Sequence, residues 1–108
     1  MDVFTPTAQG EEAVHGTVAP WVAWSADFGA GPGISGPATV VVASSDAAGH
    51  AAPWFVRVSG YPGLGSALAW DRPLTLNPGQ SFERRFDIWV ADGRLDSVAV
   101  ARDIPGIG

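Results

Sequence analysis

Gln80-Ser81-Phe82-Glu83-Arg84-Arg85-Phe86-Asp87-Ile88-Trp89-Val90-Ala91 is the stretch that decides the fold. Phe82, Phe86, Ile88 and Val90 alternate with Ser81, Glu83, Arg85 and Asp87, and a period of two marks a strand with one buried face. The alternation predicts a strand over 80–91 with the phenylalanine row inward. Trp89 shares parity with Glu83 and Asp87, which predicts the outer face or an interface for it. Arg84 interrupts the apolar row and must be paired there or reach water.

Working toward the N-terminus, Asn77-Pro78-Gly79 is a turn signal, preceded by two short runs at Ala67–Trp70 and Leu74–Leu76. Gly60-Tyr61-Pro62-Gly63-Leu64-Gly65 reads as another turn, and Pro53-Trp54-Phe55-Val56-Arg57-Val58 as a strand. A polar loop over 44–52 carries His50. Thr39-Val40-Val41-Val42 is a β-branched run between turn residues, as in a central strand buried on both faces. The glycine- and proline-rich stretch 29–37 separates it from a strand over 17–28, in which Val18, Val22, Trp24 and Phe28 share one parity. Trp21 breaks that parity, and Pro20, lacking an N–H, predicts an edge or a bend.

Residues 1–16 show no clear period and read as an irregular lead-in with at most one short strand, leaving 17–108 as a single β-sandwich-type domain. At the other end, Asp92-Gly93 suits a hairpin turn while Asp96 suits the N-cap of a short helix over 97–102, and the helix is preferred. Five to seven short strands without a long helical pattern or a repeat give an all-β, mainly antiparallel fold. The expected architecture is a β-sandwich or partial sandwich with one short C-terminal helix.

With 108 residues, one core is the limit. Apolar residues make up 46% and charged ones only 16%, so disorder is excluded and some apolar surface is expected to meet a partner. All six basic residues are arginine against eleven acidic ones, and a net charge of −5 disfavours nucleic acid. The largely apolar run over 38–43 falls far short of the roughly 20 residues that span a bilayer, so no membrane partner is expected. Neither a membrane segment nor an export signal is visible, which makes the cytoplasm the default location.

Chemistry-bearing motifs are sparse. Without cysteine there is no thiolate, and His15 and His50 lack a paired ligand spacing, so neither a metal nor a cofactor is expected. The glycine strings lead into a β-run rather than a helix N-terminus, and no serine sits in G-x-S-x-G. Arg57 and Arg84 lie in apolar strands, where each either binds an acidic or hydroxylated ligand or pairs with Asp71, Glu83 or Asp87. Five tryptophans are many for this length, and sugar faces stack on such rings, although for any single ring a structural place is the better reading, with Trp24 and Trp54 in the core.

Ala52-Pro53-Trp54-Phe55-Val56-Arg57, then Leu76-Asn77-Pro78-Gly79-Gln80, the strand Phe82–Val90 and Asp92-Gly93 occur in an order that resembles the bacterial PmoA-like family, a family of unknown function. Ala19-Pro20-Trp21-Val22-Ala23-Trp24-Ser25 is similar to that family's aromatic strand, so the resemblance spans roughly 17–103. Ala91 and Gln80 stand where the family often has a histidine and an acidic residue. The resemblance implies the C-terminal part of a longer β-sandwich of the sugar-mutarotase type, and hence a carbohydrate-related ligand. It does not imply methane oxidation, whose membrane-embedded enzyme subunit this chain does not resemble.

Together these expectations describe a β-sandwich module, non-catalytic alone, with His50, Trp54 and Arg57 on a ligand-binding margin for carbohydrate. The alternatives are a homo-oligomer that completes its core by strand pairing, a chain that lacks its N-terminal half, or a mutarotase- or glycoside-processing enzyme fragment using His50 with Asp46 or Asp71.

Overall fold

A computed structural model describes residues 1–29, 36–46, 50–60, 63–104 and 107. Most of the glycine-rich connection over 29–37, part of the loop holding His50, and Tyr61-Pro62 of the expected turn lie outside the described residues.

The fold is all-β and antiparallel, with six strands among the described residues and a short C-terminal helix. Strands β1 (Asp2–Phe4), β2 (Trp21–Asp27), β3 (Pro37–Ser44) and β6 (Phe86–Asp92) form one sheet in the order β1-β2-β3-β6. Strands β4 (Trp54–Arg57) and β5 (Gly63–Ser66) form a second, two-stranded sheet. Helix α1 (Glu11–Val14) follows β1, and helix α2 (Ser97–Asp103) follows β6.

Both faces of the larger sheet are covered, but unequally. On one face Trp21 and Ala23 of β2 and Val41 and Ala43 of β3 pack with Phe4, beneath Val100 of α2, Ile104 and Ile107. Asp96 caps α2, its Oδ1 accepting from the Ala99 N–H at 2.9 Å, which starts the helix where Val100 can reach this core. Asp96→Ala is expected to cost about 1 kcal/mol, checked by thermal unfolding, because the Ala99 N–H is then left without its acceptor. One turn beyond, the Arg102 guanidinium hydrogen-bonds Asp103, holding that carboxyl below its ordinary range and raising its own affinity for the proton.

On the other face Val3, Val22 and Val14 of α1 close over Trp54 and Val56 of the small sheet, with Val42, Trp24 and Leu64 half-buried at the margin. Two strands cannot roof four. Phe86, Ile88 and Val90 of β6 are therefore left exposed, Ile88 at 64% and Val90 at 75%. The Cα radius of gyration, 15.1 Å, exceeds the roughly 13 Å of a closed domain of about 100 residues.

Several expectations are corrected. The strand expected over 80–91 begins only at Phe86, its apolar row is the exposed face, and Trp89, expected outside, packs against the core, as does Leu95. The alternation is genuine, but periodicity fixes only that two faces differ; the one covered depends on what another element roofs. The strand expected over 17–28 starts at Trp21 and lies inside the sheet, with Pro20 just before it rather than at an edge. Trp21 broke the parity because β2 is buried on both faces, one row in each cluster. The supposed turn over 60–65 contains part of β5. Residues 1–16 hold a helical turn as well as the anticipated short strand, and their Val3, Phe4 and Val14 are core residues.

Candidate functional site

Two concave regions flank the small sheet. The polar one is a recess of about 430 Å³ lined by Glu11, Glu12, His15, Phe55, Val56 and Arg57. It exists because α1 lies along the outer edge of β4. The even-numbered amides of β4 point away from β5, and two are taken by side chains: Val56 N–H donates to His15 Nδ1 at 3.1 Å, and Val58 N–H to Glu11 Oε1 at 2.8 Å. Backbone bonds complete that edge, Gly16 N–H to Trp54 C=O and Trp54 N–H to Thr17 C=O, both 2.8 Å. Side chains thus do what a neighbouring strand would do.

The hydrogen bond into Nδ1 sets the tautomer of neutral His15, leaving its proton on Nε2 as a donor. The ring is wedged between Phe55, with centroids 5.1 Å apart, and Trp70, 4.9 Å away, both near edge-on. Trp70 comes this close because residue 16 is glycine: a Cβ there would meet Trp70 Cζ2 at 2.9 Å, and its φ of +84° also favours glycine. Phe55 and Arg57, on the outward face of β4, complete the rim with Glu12. The recess therefore presents aromatic surface, a carboxylate acceptor, a guanidinium and an imidazole donor.

The second region is an apolar cleft of about 520 Å³ between β6 and the small sheet, lined by Val42, Leu64, Leu68, Phe82, Phe86 and Ile88 with Trp54 at its base. Arg84 forms part of the wall with its side chain only 7% exposed. It hydrogen-bonds Ser66 Oγ, lies 3.6 Å from Asp46 Oδ1 and sits under the Phe86 ring. The structural role weighed for Arg84 is the one found, with Asp46 as partner in place of Asp71, Glu83 or Asp87. A guanidinium this buried needs such a partner.

The three residues expected at a ligand margin are not brought together. Trp54 is 1% exposed, its Nε1–H donating to Ala19 C=O at 3.0 Å. Arg57 belongs to the opposite face of the same strand, since Trp54 and Val56 point inward and Phe55 and Arg57 outward. His50 is exposed, with Nε2 2.9 Å from Ser44 C=O. Asp46, one of its suggested proton-transfer partners, directs its carboxylate to Arg84 and the Arg85 N–H. Sequence reasoning missed Glu12, His15 and Phe55 as neighbours of Arg57, and Trp70 as the ring packed against His15. The parity of Phe55 and Arg57 was a usable signal; nothing in the aperiodic segment around His15 placed it beside β4.

Among the described residues no three His, Asp or Glu side chains gather into a metal-binding group, and no helix is long and apolar enough to cross a membrane. Fold and recess define an antiparallel partial sandwich that carries a small aromatic and polar recess on its lesser sheet. The chain belongs to DUF6807, a family of unknown function whose model matches residues 1–104. No curated protein and no solved structure matches it significantly.

Proposed function

We propose that this chain is a non-catalytic ligand-binding module whose α1–β4 recess takes a carbohydrate. The observation that carries this reading is the fixed His15: its Nε2–H donor is held between aromatic rings, with Glu12 and Arg57 at the rim. Sugars offer C–H faces to aromatic surface and hydroxyls to such polar groups. Glu11 and His15 Nδ1 are engaged with β4 amides, which favours binding over proton transfer. The PmoA-like resemblance, with its sugar-mutarotase analogy, supports the same ligand class. Of the expected trio, Arg57 is the direct contact; Trp54 stiffens β4 from beneath, and His50 stands on the loop after β3 outside the recess.

Titrating a panel of neutral and acidic mono- and disaccharides should shift the NMR signals of His15, Phe55 and Arg57 and change the fluorescence of Trp70. Arg57→Ala is expected to weaken binding about tenfold, the loss of one charged hydrogen bond, while leaving the unfolding midpoint in place because Arg57 is exposed. A panel that leaves all these signals unmoved overturns the assignment.

A further inference from the structure

The two edges of the larger sheet are finished differently. β1 is three residues long and is tied by the Arg94–Asp2 ion pair at 3.1 Å. β6 is seven residues long, contains no proline, and is exposed along most of its length. Ser45 N–H bonds to Arg85 C=O and Gly93 N–H to Pro37 C=O, so the odd-numbered residues of β6 direct their backbone groups to β3. Those of Phe86, Ile88 and Val90 point away from the sheet. No backbone hydrogen bond among the described residues reaches them.

We propose that β6 is a homodimerisation strand: two copies of this chain pair their β6 edges antiparallel about a two-fold axis at Ile88. The axis lies normal to the sheet, so residues that face each other share parity and the outward amides and carbonyls meet. Centring on Ile88 places Phe86 of one copy opposite Val90 of the other, and Asp87 opposite Trp89. Neighbouring registers are worse: centring on Asp87 sets that carboxylate against its own copy, and centring on Trp89 sets the apolar Phe86 against the Asp92 carboxylate. The favoured register also lays the two exposed apolar rows side by side, in the trough between the two β4–β5 sheets. A second copy is therefore complementary to this edge in hydrogen bonding and apolar pairing. Because each copy carries −5, added salt screens their repulsion and strengthens the pair.

Sedimentation equilibrium on the whole chain, from low to high micromolar concentration, tests this. The wild type is expected to form a dimer that tightens with salt. Ile88→Lys sets like charges opposite each other at the axis and is expected to weaken the dimer at least about tenfold. Ile88→Pro removes an N–H that points away from β3, so the monomer fold, followed by circular dichroism, survives while dimerisation is lost. A wild-type monomer throughout the range, or folded variants that dimerise like the wild type, overturns the proposal.

Discussion

Replacing Trp54 by alanine is expected to destabilise the fold by about 3–5 kcal/mol, the usual cost of truncating a buried tryptophan. Trp54 is buried at the centre of the cluster formed by Val3, Val14, Val22 and Val56, and its indole N–H satisfies Ala19 C=O. The substitution removes the largest piece joining the two sheets and orphans that carbonyl. Total stability of a domain this size is about 5–15 kcal/mol, and the half-roofed sheet argues for the lower end. Trp54→Ala should therefore be partly unfolded at room temperature, visible as a shortened native baseline in urea unfolding followed by circular dichroism. Trp54→Phe keeps most of the apolar contact and loses the hydrogen bond, so an intermediate loss of about 1–3 kcal/mol is expected. An alanine variant with the wild-type midpoint would remove Trp54 from the core and return it to the ligand surface that its sequence neighbourhood suggested.

The contrast between Trp54 and Trp89 shows how far the sequence was legible. The three longer strands of the larger sheet announce themselves through β-branched and alternating residues, and the Asp96 cap announces α2. What alternation does not contain is the identity of the roof. Phe86, Ile88 and Val90 look like a core row by chemistry, yet the element above that face has two strands and covers β2 rather than β6. Trp89 is sheltered instead because Val100 of α2, with Ile104 and Ile107 beyond it, returns to the opposite face. β5 was hidden for a different reason: Gly63-Leu64-Gly65-Ser66 has the composition of a turn and becomes a strand by pairing with β4.

The recess was less legible than the fold, since it joins segments distant along the chain. His15 and Glu11 reach amides 41 and 47 residues away, and no local period encodes that meeting. The same contacts explain why the edges of the molecule differ in kind. β4 has its outward amides filled by Glu11, His15 and the Thr17 carbonyl and becomes the wall of a polar recess. Among the described residues β6 has none filled, and it keeps an apolar row beside it.

Thr39→Val is expected to destabilise the fold by about 2–4 kcal/mol, although valine is the same shape, more apolar and a good strand former. Thr39 is fully buried on β3, and its hydroxyl accepts from Leu95 N–H at 2.9 Å while donating to Gly93 C=O, also at 2.9 Å, with Ser25 Oγ at 3.3 Å. One side chain thus ties the central strand to the turn that carries the chain from β6 into α2. Valine leaves that amide and that carbonyl, both half-buried, without their partner, and each such group costs about 1–2 kcal/mol. Thr39→Ser keeps the hydroxyl and loses only a methyl group, so its expected cost is smaller, about 1 kcal/mol. Urea unfolding should therefore rank serine above valine, the reverse of the order that strand propensity and hydrophobicity dictate. Hydrogen exchange at the Leu95 amide should accelerate in the valine variant and stay slow in the serine variant. A valine variant as stable as the wild type would mean that the link between β3 and α2 rests on packing of Leu95 and Val100, with the hydroxyl incidental.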